Sequence, residues 1–359
     1  MLSRLRICNF RAFKSLDVEK LGKMNLFSGR NNSGKTSLLE AIFLLSGAKS
    51  PTTLLNANFL RGVTVISDSK HVPQDALWKP VFHNLDMSSP IEITGHHFSC
   101  KDLTIKLAVE RPNLFELPLA GSDAALGETH NEGELIRIDY LENDKLKTGH
   151  TITLAGGVIR VKEGTYDTTE PAEAPYTATI LSPRNGTMHK DAERLGQLRL
   201  QKKGDLVVKA LRVIEPRLVS VEVSYAAGIP TIWGDVGLDE LVPISVMGDG
   251  MIQLARIILA ISSTPGGVVL LDEVENGLHH SVLLQTWQVI QKAADQFDTQ
   301  IFATTHSYEC ISAAGKVFEE SGDDVFLLHR LETTETGTRC VTYNKETMEA
   351  AIQHNMEVR

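Results

Sequence analysis

The sequence predicts an α/β fold with a mostly parallel central sheet, a β-rich inserted lobe and a helical lobe, and three stretches carry that prediction. Residues 24–45, MNLFSGRNNSGKTSLLEAIFLL, read as a short apolar strand, a glycine-bounded loop and an amphipathic helix. Residues 268–273, VVLLDE, are four apolar β-formers closed by two acids, the pattern of a strand buried on both faces of a parallel sheet. Residues 300–307, QIFATTHS, repeat that logic, with a polar group at the carboxyl end of an apolar strand.

The first stretch fits G-x-x-x-x-G-K-[ST] from Gly29 to Thr36 without a mismatch. Gly29 and Gly34 let the backbone of Arg30, Asn31, Asn32 and Ser33 curl so that successive N–H groups point inward, a nest for anionic oxygens. The helix that opens at Lys35, Thr36 and Ser37 adds the positive end of its dipole. Lys35 is long enough to reach the β- and γ-phosphates of a bound nucleotide, and the Thr36 hydroxyl is a ligand for Mg²⁺. Ligands sit at the carboxyl ends of parallel strands, so Asp272 is expected to hold Mg²⁺ opposite Thr36. Glu273 would then face the γ-phosphate as general base toward the attacking water. His306 follows a later strand of the same kind and is assigned to the γ-phosphate or that water, although a lone histidine is more often a satisfied surface group. Two adjacent pairs, His96-His97 and His279-His280, are poor metal sites because neighbouring side chains diverge.

Composition sets limits on partners. A chain of 359 residues, 42% of them hydrophobic, has room for about two domains. A net charge of −9 leaves nucleic-acid binding to a local patch. Cys8, Cys100, Cys310 and Cys340 are far apart and form no C-x-x-C, which fits a reducing, cytoplasmic setting. The start MLSRLRICNFRAF has no apolar core of a signal peptide, and no run of about 20 apolar residues predicts a membrane span.

In order, residues 2–10 alternate as a strand, residues 17–21 lead into the strand at 24–28, and 37–46 form the helix after the loop. From 51 to 183 prolines and short alternating runs (91–94, 103–109, 135–140, 151–154, 158–161) indicate the β-rich lobe, with loops at 121–133 and 163–175. Residues 184–265 form the helical lobe. They hold one or two basic helices at 189–214, strands at 218–225 and 231–233, and a loop opening a long apolar helix at 242–261. Residues 266–359 return to the core with a helix at 281–297, a hairpin of 325–331 with 339–343, and a last helix at 345–355.

The ordered set GRNNSGKT, SVMGDGM, VVLLDEVENGLHH and FATTHS resembles an ABC-type ATPase head. It resembles the branch containing RecF, SMC-like heads and the overcoming-lysogenization-defect (OLD) ATPases, and LSRLRICNFRAFKSL resembles their first strand. The Met-Gly-Asp-Gly run is similar to that of stand-alone AAA_15/AAA_21-type ATPases. The resemblance implies ATP and Mg²⁺ as ligands and ATP hydrolysis as activity. It places the D-loop at Asn276 to His279 and the signature at Gly248, Asp249 and Gly250, where Met247 replaces the usual serine. It places no Q-loop glutamine. Gly248 and Gly250 open a helix N-terminus able to present bare N–H groups to a γ-phosphate, with Asp249 pointing away or capping the helix. Because such heads close one site with the signature of another subunit, the resemblance also implies a head-to-tail homodimer or a larger homo-oligomer.

Three roles compete for such a head. The first is the sensor subunit of a bacterial anti-phage system that controls a separate effector, a nuclease or toxin; no TOPRIM nuclease fits after His306. The second is a RecF-like ATPase that clamps DNA through Lys190, Arg194, Arg199, Lys202, Lys203, Lys209, Arg212 and Arg217. The third, a transporter subunit, is disfavoured by the opening strand, the variant signature and the absence of a membrane segment.

Overall fold

A computed structural model describes residues 1–47, 53–54, 61, 78–98, 101–110, 135–155, 158–163, 176–183, 188–319, 325–335, 337–344, 346–348 and 350. The loop expected at 121–133 and all but Glu163 of the one at 163–175 lie outside the described residues, and of the last helix expected at 345–355 residues 346–348 and 350 are described, as helical. The chain divides into two compact units, one of residues 1–3, 18–39 and 176–359, the other of residues 4–17 and 40–175.

The second unit is a sheet. Its strands are β1 (Leu2–Phe10, whose first two residues belong to the other unit), β2 (Phe13–Val18), β4 (Ile91–His97), β5 (Asp102–Glu110), β6 (Leu135–Glu142), β7 (Lys145–Ala155) and β8 (Val158–Glu163). They lie in the order β2-β1-β4-β5-β6-β7-β8, antiparallel from β4 to β8. The opening strand therefore lies between β2 and β4 in this sheet. Arg11, in the turn between them, takes φ 49° and sets its guanidinium 2.8 Å from Glu40, a residue with no exposed surface. Arg61 completes the cluster at 2.7 Å, so the buried carboxylate faces two cations.

The first unit holds the nucleotide-type sheet. Its strands are β3 (Met24–Gly29), β9 (Ala178–Leu181), β13 (Val268–Leu271), β14 (Gln300–Thr304), β15 (Phe326–Thr334) and β16 (Gly337–Tyr343), in the order β16-β15-β3-β14-β13-β9. Every pairing is parallel except that of β15 with β16. Each residue of β3, β13 and β14 is buried, which explains why these strands read as unbroken apolar runs. One of the buried polar residues on these strands, Gln300, is satisfied. It accepts from Leu2 N at 2.8 Å and donates to Leu2 O at 2.8 Å and Gly22 O at 2.7 Å. Helices α4 (Asp249–Ser262), α5 (Leu283–Gln296) and α6 (Tyr308–Phe318) pack Ile257, Ile261, Trp287, Ile290, Ile311 and Phe318 into the sheet's core. A second core joins α4 to α2 (Met188–Leu200), α3 (Asp205–Leu211) and the hairpin of β10 (Ser220–Ala226) and β11 (Ile229–Asp235), edged by β12 (Val242–Pro243). A short helix, α1 (Lys35–Ser46), follows the phosphate-type loop.

His329 on β15 is fully buried and stacks on Phe27 of β3 at a centroid distance of 4.5 Å. Its Nε2 lies 3.3 Å from Asn25 Oδ1 and its Nδ1 3.0 Å from Thr342 Oγ1, a neutral ring donating to the amide oxygen and accepting from the hydroxyl. Burial pushes its pKa down from 6.5 to about 3. Below pH 6.5 the unfolded chain therefore binds a proton that the folded chain refuses, and stability falls with acidity until about pH 3. Between pH 7 and pH 5 this one group is expected to remove about 2 kcal/mol of stability. Urea unfolding at both pH values checks it, and in His329→Gln that share of the pH dependence should vanish.

Candidate functional site: a phosphate loop against two strand ends

The site begins where β3 runs out. Gly29 takes φ 144°, and a Cβ there would lie 2.7 Å from both Leu331 O and Ser33 Oγ, so the turn admits only glycine. Asn32 (φ 64°) and Gly34 (φ 96°) continue the curl, and Leu38 N closes the first helical turn on Gly34 O at 2.9 Å. Lys35 Nζ donates to Gly29 O at 2.7 Å and Arg30 O at 2.9 Å, so the ammonium is held by the loop's own carbonyls. Burial pulls its pKa below the ordinary lysine value, and Asp272, Glu273 and Glu275 push it back up. Ser33 Oγ is buried without a hydrogen-bond partner, an orphan that a phosphate oxygen would satisfy.

β14 lies between β3 and β13, so the acids at the end of β13 meet the loop across one strand. Thr36 Oγ1 is 3.1 Å from each carboxylate oxygen of Asp272. Thr304 Oγ1 donates to Asp272 Oδ1 at 2.8 Å and accepts from Glu273 N at 2.8 Å. This hydroxyl and carboxylate, converging beside a polyphosphate-type nest, form the hard oxygen set that suits Mg²⁺. Glu273 is exposed and takes φ 51°, a left-handed conformation costing roughly 1 kcal/mol for a side-chain-bearing residue.

A further acid, which sequence reasoning did not single out, sits two residues on. Glu275 Oε1 accepts from Thr305 Oγ1 at 2.8 Å and His306 N at 3.0 Å, and lies 3.3 Å from His306 Nδ1. Its signal was available as D-E-x-E, an acid one turn beyond the pair. The structure thus gathers Gly29 to Ser37, Asp272, Glu273, Glu275 and His306 at neighbouring strand ends.

Gly248, Asp249 and Gly250 form a second group with the Asn276 turn. Gly248, at φ 111°, is the helix cap of α4, and Asp249 stands in the first turn without capping it. A Cβ on Gly277 would lie 3.0 Å from Asp249 Cβ, and one on Gly250 would lie 3.1 Å from Gly277 O, so these turns touch backbone to backbone. Gly248 and Asp249 are exposed, as is Asn276, whose N–H bonds Glu273 O at 2.9 Å. Beside β13, the strand β9 ends at Leu181 and is followed by Ser182 and Pro183, so no glutamine stands among the described residues at its end.

The basic helices are less open than their composition suggests. Arg194 pairs with Asp191 at 3.1 Å and Arg217 with Glu215 at 3.0 Å. Arg199 reaches Glu222 at 2.6 Å and also Val221 O, and Arg212 donates to Leu218 O at 2.7 Å. Lys203 lies over the Phe297 ring at 5.3 Å.

Two family models match, "AAA ATPase domain" over residues 1–155 and "AAA domain, putative AbiEii toxin, Type IV TA system" over residues 184–312. The solved SMC head bound to the C-winged helix domain of ScpA covers 98% of this chain and 99% of its own, with a TM-score of 0.51 at 13% identity. The chain thus has the fold of an SMC head and is similar in sequence to two AAA-type ATPase families, each over less than half of its length. A protein of Helicobacter pylori described as an ATP/GTP phosphatase is 26% identical over 342 residues, 89% of each chain. A RecF DNA replication and repair protein of Actinobacillus pleuropneumoniae is 57% identical over 49 residues, 14% of each chain. The head's fold agrees with the expected parallel core with added β-rich and helical parts. Among the described residues, no helix is long and apolar enough to cross a membrane.

Proposed function

We propose that this head binds and hydrolyses MgATP in the cytoplasm, as the sensor subunit of a bacterial anti-phage system that controls a separate effector protein, a nuclease or toxin. The observation that carries the ATPase part is Thr36 Oγ1 at 3.1 Å from Asp272, beside a glycine loop holding Lys35 and an orphaned Ser33 hydroxyl. The loop N–H groups and Lys35 hold the phosphates, and Thr36 with Asp272 holds Mg²⁺. Bound there, the ion neutralises charge developing on the phosphate oxygens. Glu273 takes a proton from the attacking water, and His306 orients that water. The exposed Gly248–Gly250 turn is offered to a second copy, so the working unit is a head-to-tail homodimer or a larger homo-oligomer. Similarity over residues 184–312 to a family described by a putative toxin of a Type IV toxin–antitoxin system supports the effector reading.

The RecF-like alternative, a DNA clamp used in repair, draws on the local RecF similarity and the basic helices. The arginine pairings above weigh against it. The sensor reading expects DNA binding with little salt dependence, unchanged when exposed Lys190, Lys202 and Lys209 are replaced by Glu. A clamp making about 6–10 phosphate contacts would instead lose about 1,000-fold or more in affinity between 50 and 200 mM salt, with a shallower slope in that variant. Fluorescence anisotropy with duplex DNA across that salt range separates the two.

A further inference from the structure

The acid at position 275 uses only half of its carboxylate. Glu275 Oε1 gathers a hydroxyl, a backbone N–H and the Nδ1 edge of His306, while Oε2 is buried without a partner. A buried carboxylate kept for packing alone is expected to satisfy both oxygens. Its side chain is 11% exposed, whereas that of His306 is 57% exposed. The ring therefore has its Nδ1 edge against a buried charge while more than half of the side chain is open to solvent. Thr305 N is fixed to Phe27 O at 2.9 Å, so the segment that carries His306 is tied directly to the strand that feeds the phosphate loop. Lys35 lies in the field of the same carboxylate, which places Glu275 within electrostatic reach of the phosphate seat.

We propose that Glu275 is a positioning residue for hydrolysis: its carboxylate fixes His306 as the Nδ1–H tautomer and aims Nε2, with its lone pair, at the attacking water. The inference rests on the ATPase reading and adds to it a residue outside the acid pair. A histidine's free nitrogen is set by what the other nitrogen donates to. Without Glu275 the ring keeps its place in the chain but loses both tautomer and orientation.

Steady-state MgATP turnover of wild type, Glu275→Ala, Glu275→Gln, His306→Ala and the Glu275→Ala/His306→Ala double variant tests this. Glu275→Ala is expected to lower kcat about 10-fold with KM unchanged, the signature of an interaction made in the transition state. The double variant should be no slower than His306→Ala, because the two residues act as one unit. Glu275→Gln keeps an acceptor oxygen at the same place and should recover most of kcat. Independent losses that multiply, or a Gln variant as slow as Ala, overturn the proposal. Imidazole ¹⁵N shifts of His306 give a readout that needs no turnover. Nδ1–H in wild type and its loss in Glu275→Ala are expected; an Nε2–H tautomer in wild type overturns the proposal even if the alanine variant fails to fold. A wild type without ATPase activity but with the Nδ1–H tautomer would sink the hydrolysis reading and, with it, the role assigned here, while a turning-over wild type with Nε2–H sinks only the role of Glu275.

Discussion

A Glu273→Gln chain is expected to bind MgATP as wild type does and to hydrolyse it about a thousandfold more slowly. Glutamine has the shape of glutamate and makes the same backbone demands, so the φ of 51° and the bond from its N–H to Thr304 Oγ1 persist. What disappears is the ability to accept a proton. The loss should therefore fall on kcat with nucleotide affinity unchanged. Because ATP is no longer consumed, any assembly that only the ATP-bound head can form accumulates by mass action. Light scattering at micromolar protein and saturating MgATP should show the dimer mass or a multiple of it. Normal turnover would refute Glu273 as the base. A monomer under those conditions would refute closure of the site by a second copy, and leave the chemistry of the single head standing.

Legibility in the sequence followed the range of the forces involved. The strand, loop and helix at residues 24–46 and the strands ending at Asp272 and Thr304 are set by local rules, an apolar run and a glycine turn. All three were readable without knowing what they pack against. The sheet that β1 joins was not legible, because its neighbour β4 lies about 80 residues further along and nothing within β1 names that partner. Residues 17–21, read as leading into the strand at 24–28, instead begin with the last two residues of β2, which ends at Val18. Helix α6 passed unread although its signals are local. Ser307 caps it by accepting from Cys310 N at 3.1 Å, and Cys310, Ile311, Ala314 and Phe318 mark its buried face. The four residues of β9 carry too little pattern to stand out after a proline-rich stretch, yet they complete the sheet beside β13. Within the site, every residue named from the loop and the strand ends was a motif position. Glu275 became visible only through its contacts with Thr305 and His306, some 30 residues away. Secondary structure follows from period, whereas a residue that acts on another residue needs the fold to bring the two together.

The second large effect concerns Lys35. Lys35→Ala is expected to weaken MgATP binding about 100-fold and to abolish turnover. Losing charge-assisted hydrogen bonds of about 1.5–3 kcal/mol to the phosphates corresponds to that range. The ammonium is seated on Gly29 O and Arg30 O, which holds it within the loop rather than in solvent. Burial favours the neutral amine, but Asp272, Glu273 and Glu275 restore the charge that phosphate binding needs. The alanine variant therefore also removes the cation that offsets the nearby charges of Asp272, Glu273 and Glu275, which adds repulsion to the lost attraction. Lys35→Arg should rescue little. Its planar fork does not match two carbonyls that close on a single point charge at 2.7 and 2.9 Å. Titration calorimetry with MgATP on the three chains measures these differences directly, and circular dichroism of each variant checks that the head stays folded. If the alanine variant kept wild-type affinity, the Gly29–Thr36 loop would not be the seat of the phosphates, and the roles given to Thr36, Asp272 and Glu273 would fall with it.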